Sequence, residues 1–203
     1  AGANLNVSTN WDTGGNPRAF LSSGGTNSLL NAGTLTKTGN FATNFDVPFT
    51  NTGTFNVNEG WVFLTAAGVN NGVFNIANGR TLRFDVSFTH GVGSALNGPG
   101  AFEFLGGTHL LAGPTFNPNA IAYFTGAAAT VTGSWTSSAG MGVYNGSLTV
   151  NNAAVFNAGV TFNGGTSSFN DAATLNGTVT FNGGTLSTLG TTTFRSEEHT
   201  SEL

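Results

Sequence analysis

Apolar and polar residues alternate in short bursts along this chain. Phe55 and Val57, Phe74 and Ile76, Phe102 and Phe104, Leu148 and Val150, Val160 and Phe162, and Val179 and Phe181 each flank one polar residue. A longer run, Leu82, Phe84, Val86 and Phe88, keeps the same period of two. Side chains at i and i+2 share one face of a strand, so each burst predicts a short strand with one buried face. No window of about 11 residues carries a sustained apolar stripe of helical period, and almost no helix is expected before residue 195. Trp61-Val62-Phe63-Leu64 breaks the alternation, being apolar on both faces. It is either covered by a loop or an exposed aromatic patch able to stack on sugars or another chain. Trp135 is a second candidate for surface contact.

The bursts recur inside a repeated phrase. It reads NAGTLTKTG from Asn31, NTGTFNVNEG from Asn51, NNGVFNIANG from Asn70, NAGVTFNGGT from Asn157 and NGTVTFNGGT from Asn176. Matching glycines Gly33, Gly53 and Gly72 lie 20 and 19 residues apart, and the FNGGT segments begin 19 apart at Phe162 and Phe181. Shorter steps of 13 link Gly133, Gly146 and Gly159. Gly and Asn between the strands supply positive-φ corners.

Short strands, Gly/Asn corners and a period near 20 predict an all-β fold, a right-handed parallel β-solenoid (β-helix) with irregular coils of about 20 residues. Like residues of successive coils then stack about 4.8 Å apart, and each coil buries its apolar face only against its neighbours. The 13-residue steps keep an antiparallel β-sandwich as the alternative.

Composition narrows the function. Only 7% of the 203 residues are charged, with 5 Lys+Arg, 9 Asp+Glu and a formal net charge of -4. That leaves no basic stripe for a phosphate backbone, so nucleic acid is not an expected partner. Phe contributes 18 residues and Gly 31, which argues against a disordered, highly charged chain. With Cys at 0, disulfides and thiolate chemistry are excluded. No apolar stretch approaches the ~20 residues of a membrane-spanning helix.

The run from Asn31 to Leu111, with NAGTLTKTG, VPFTNTGTFNVNEG, NNGVFNIANGRTLRF and GPGAFEFLGGTHLL, resembles the repeat regions of very large secreted bacterial surface proteins. It is similar in style to filamentous-haemagglutinin-like adhesins and autotransporter passenger domains. The resemblance implies a structural or adhesive segment, extracellular or on the bacterial cell surface, contacting glycans or other surfaces, with no catalytic residues to carry over. NWDTGGNP, from Asn10 to Pro17, departs from the repeat.

Right-handed β-helices include polysaccharide lyases and glycoside hydrolases, which makes such an enzyme the second reading. Its candidate residues are Arg83, Asp85 and Glu103, which alternation sends outward, Glu103 about one coil from the other two. An exposed ion pair of little energy accounts for the same three residues and is the simpler explanation. His90 and His109 lie 19 apart, but the four ligands of a zinc site are not evident, and packed or turn histidines are the expectation. No metal or cofactor is expected. The Thr/Ser segments Thr34-Leu35-Thr36, Ser147-Leu148-Thr149 and Thr178-Val179-Thr180 raise a third reading, an ice-binding hydroxyl ladder. Thr54-Phe55-Asn56 and Val73-Phe74-Asn75 interrupt it. Asn145-Gly146-Ser147 and Asn176-Gly177-Thr178 match the glycosylation acceptor pattern, but coil corners explain both.

Residues 1–194 are expected to form one solenoid segment that continues into further repeats, with any export signal upstream. The final nine residues, RSEEHTSEL from Arg195 to Leu203, depart sharply in charge. They resemble the translation of a widely used sequencing adapter, so residues 195–203 are expected to be a non-native tail.

Overall fold

The computed structural model describes residues 25–112 and 119–195 and Phe20, together with backbone strands at Asn4–Val7, Asn10–Asp12, Arg18–Phe20 and Thr115–Phe116. The chain is a parallel β-solenoid without helix among the described residues. Each turn has three short strands. One turn runs through Phe49–Asn51, Thr54–Val57 and Trp61–Leu64, and the next through Gly68–Asn70, Val73–Ile76 and Thr81–Phe84. Equivalent strands stack into three rows, here the first, second and third face, and every strand pairing is parallel. The one antiparallel contact among the described residues is an isolated bridge between Thr125 and Asn145. The antiparallel sandwich is thereby set aside.

Register fixes the turn length. On the first face Leu29, Phe49, Gly68, Phe88, His109, Ala129, Leu148, Ser167 and Leu186 are successive partners, so turns take 19 to 21 residues. These eight turns extend about 38 Å at the usual strand spacing. The 13-residue glycine step also gains an explanation. Gly133 lies at the corner from first to second face, Gly146 from third to first and Gly159 from second to third. A step of 13 is two thirds of a 19-residue turn.

The core is a set of inward columns. Phe84, Phe104 and Phe124 are register partners, and their rings stack 5.0 and 4.9 Å apart with interplanar angles of 11° and 8°. Those distances are the strand spacing itself, so the ladder sets the stacking. The same column continues as Val143, Phe162 and Phe181. Phe162 is buried, whereas Phe181, in the last complete turn, is 52% exposed.

Two expectations need correction. Leu82 to Phe88 is not one alternating strand: Thr81–Phe84 and Phe88–His90 lie on different faces, with Val86 half-buried at the corner between them. The coil must turn there, because a three-sided cross-section leaves only three or four residues per side. Nor do Asn31, Asn51 and Asn70 serve as positive-φ corners. They end the strands of the first face and point inward, fully buried. Asn145, with φ 58°, is the positive-φ residue other than glycine among the described residues. Glycine is required at Gly53 and Gly72 by contact instead. Each crosses directly over the glycine one turn below, and a Cβ would strike the carbonyl oxygen of Gly33 or Gly53.

The buried asparagines form a ladder. Asn31 Nδ2 donates to Asn51 Oδ1 at 2.7 Å, and Asn51 Nδ2 donates to Asn70 Oδ1 at 2.8 Å. Asn31 Nδ2 also donates to the Thr54 carbonyl, so the amides tie the first face to the second. The column ends at His90, whose Nδ1 lies 3.5 Å from Asn70 Nδ2, and gives way to Leu111 in the next turn. Buried amides without such partners would each cost roughly 1–3 kcal/mol. Lys37 is a further buried polar residue, at an inward position matched by Val57 in the next turn. Its Nζ donates to the carbonyls of Thr38 and Gly39 at 2.7 and 2.5 Å.

Candidate functional site on the third face

Outward positions on the first two faces carry mainly Thr, Ser, Asn and small aliphatic residues. The third face differs. Successive outward partners there are Asn44, Phe63, Arg83, Glu103, Tyr123 and Gly142. In the neighbouring column Trp61 stands between Ala42 and Thr81.

The strand Trp61–Leu64 resolves its own ambiguity. Val62 and Leu64 are completely buried, while Trp61 remains 44% exposed. Its small partners Ala42 and Thr81 cannot cover an indole. Phe63 is half-buried, and the Arg83 guanidinium lies 4.1 Å above its ring centroid, a cation–π contact. Arg83 Nε donates to Asp85 Oδ1 at 2.6 Å and Nη2 donates to Asp85 Oδ2 at 3.0 Å. This fork-to-carboxylate geometry raises the Arg83 pKa, partly offset by burial, with Asp85 and Glu103 adding favourable charge.

Arg83, Asp85 and Glu103 therefore do come together on one face, with Glu103 the register partner of Arg83. Arg83 is engaged by Asp85 and Phe63. Among the described residues no three His, Asp or Glu side chains converge in a way that could hold a metal ion.

Trp135 is not a surface residue. It is 1% exposed and packs edge-on against Phe124 and Phe156, at centroid distances of 6.1 and 5.0 Å. The strand Trp135–Ser137 turns its first and third side chains inward, and the solvent-facing position is Thr136. His90 and His109 are packed, as expected, but in adjacent columns: His109 partners Phe88, and His90 partners Leu111. Both lie edge-on to Phe84 and Phe104. Burial, with a smaller contribution from His109, lowers the His90 pKa to about 3. Burial also lowers that of His109, against the opposing pull of the Gly106 carbonyl, which accepts from Nε2 at 2.7 Å.

The three Thr/Ser segments raised from the sequence lie on three different faces and so form no common ladder: Thr34–Lys37 belongs to the second, Ser147–Val150 to the first and Val179 to the third. A hydroxyl column does form on the first face, from Thr130, Thr149, Ser168 and Ser187. Of NWDTGGNP, the strand Asn10–Asp12 pairs with Thr34–Thr36, and the rest lies outside the described residues. In the tail, Arg195 N still donates to the Leu175 carbonyl, and residues 196–203 lie outside the described residues.

Two residues of the third face escaped the sequence reading, Tyr123 and Tyr144. Their rings lie 6.1 Å apart. Burial, then Tyr144 and Glu103, raise the Tyr123 pKa. A signal existed: in Ile121–Thr125 the alternation that buries Ala122 and Phe124 sends Tyr123 outward.

No protein-family model, curated protein or solved structure matches this chain. The third face must be read from its own chemistry.

Proposed function

We propose that the chain is a structural or adhesive, non-catalytic segment of a secreted or cell-surface bacterial repeat protein, in the manner of filamentous-haemagglutinin-like adhesins and autotransporter passengers. The observation that supports this most is the unbroken register on the first face, eight turns long, with matched side chains stacked through the core. Such stacking makes a stiff shaft whose stability is close to a sum of neighbouring-turn terms. A sparsely charged surface of Thr, Ser and Asn suits repeated weak contacts. Polysaccharide turnover is the second reading, favoured by one observation, the register pairing of Arg83 with Glu103 beside Asp85.

Small-angle scattering, with incubation against neutral and acidic polysaccharides, tests the proposal. The expected result is a rod with about 38 Å of length from the eight turns and no change in polysaccharide chain length. Cleavage that disappears in Glu103→Gln would overturn the structural reading in favour of the enzyme.

A further inference from the structure

We propose that the third face, from Trp61 to Tyr144, is a binding platform for an extended neutral glycan. The inference rests on the adhesive reading above and adds the site and the ligand class.

Three observations meet on this face. First, its strands carry outward aromatics in two groups, Trp61 and Phe63 on one turn and Tyr123 and Tyr144 three and four turns further along. The indole of Trp61 has small neighbours in both adjoining turns and is 44% exposed. Apolar C–H faces of sugar rings stack on such surfaces. Second, one polar group between the aromatics is held in place. Arg83 is fixed from two sides, by the Phe63 ring and the Asp85 carboxylate. Its Nη1 makes no hydrogen bond among the described residues, and the Glu103 carboxylate lies in the next turn. A planar donor that needs no ordering on binding suits the hydroxyl oxygens of a sugar. Third, the charge is unbalanced. Arg83 is neutralised by Asp85, so Glu103 leaves the patch with a net negative charge, which repels sulfated, uronic or phosphate chains.

The geometry also sets the length of the ligand. Trp61, Arg83, Glu103, Tyr123 and Tyr144 stand on five consecutive turns, so the platform extends about 19 Å along the axis. A flat, in-register sheet of that length fits a chain lying on it rather than a single sugar in a pocket.

The test uses the whole chain on immobilised cello-, xylo- and manno-oligosaccharides, with heparan sulfate and alginate as anionic counterparts. Binding to at least one neutral series is expected, with quenching of the exposed-tryptophan fluorescence. Trp61→Ala and Tyr123→Ala should each weaken it by about tenfold. Leu110→Ala, which removes a residue 41% exposed on the first face, should leave it unchanged. No neutral binding, equal binding by Trp61→Ala, or preference for the anionic chains would overturn the proposal. So would capture of protein but no glycan. If binding fails while the scattering profile stays that of a rod, the platform alone is lost. If bound glycan is cleaved, the structural reading fails with it.

Discussion

Asn51 donates an amide proton to Asn70 Oδ1 at 2.8 Å across adjacent turns, and neither residue is exposed at all. Asn51 is the centre of the ladder, because Asn31 also donates to it. The same chemistry recurs outside, where Asn170 Nδ2 donates to Asn151 Oδ1 at 2.8 Å in full view of water. Geometry is shared, but the energetic consequence is not, since water can replace only the outer bond.

Asn51→Leu should therefore destabilise the fold by about 2 kcal/mol, by stranding buried polar partners. Asn151→Ala should cost about 0.5 kcal/mol or less. Urea unfolding reads both, and hydrogen exchange in Phe49–Asn51 and Gly68–Asn70 should report the first locally.

Phe104 and Phe181 belong to one inward column but to different environments. Phe104 is sandwiched between Phe84 and Phe124, whereas Phe181 has a ring neighbour at Phe162 and is 52% exposed. Phe104→Ala should cost about 3–5 kcal/mol, and Phe181→Ala about 1 kcal/mol. Equal losses would show that the column does not depend on its depth in the stack.

His90 links stability to pH. Its folded pKa is lowered to about 3, chiefly by complete burial, whereas an unfolded imidazole titrates near 6.5. Between these values the unfolded chain binds the extra proton. The His90 contribution to stability is thus intact above about pH 6.5 and is lost as pH falls below it, by up to about 1.4 kcal/mol per pH unit. His109, also lowered, acts in the same direction. His90→Asn would extend the amide ladder by one turn and should flatten this acid limb in urea midpoints taken between about pH 4 and 7. An unchanged slope would remove His90 as its source.

Glycine substitutions separate close approach from mere spacing. A Cβ at Gly72 would strike the Gly53 carbonyl oxygen one turn below, while at Gly140 the nearest atom, the Gly159 oxygen, is an ordinary 3.5 Å away. Gly72→Ala should cost more than about 2 kcal/mol through displacement of the corner. Gly140→Ala should be neutral or stabilise by up to about 1 kcal/mol, by reducing the freedom of the unfolded chain. Thermal midpoints of the two variants decide between these outcomes.

The strand content, the parallel coil and its length follow from the sequence itself. Inward Phe55 and Phe74, and likewise Phe84 and Phe104, recur at the period of a turn, and alternation by two turns each of them to the inner side of its strand. Position within the coil was decided by tertiary structure. Val86 looked like one more buried position, yet a three-sided coil places a corner there. Trp135 looked like an isolated surface aromatic, yet its strand turns it inward onto Phe124 and Phe156. Asn31, Asn51 and Asn70 are residues whose type favours corners, and only stacking makes their burial favourable, because each amide's partner lies about 20 residues away in the next turn. The third face was half legible: the sequence showed Trp61, Phe63, Arg83 and Glu103, but not that Tyr123 falls in register with them. Local pattern determines which side of a strand a residue takes, whereas the faces and the neighbours across turns are set by where the chain bends.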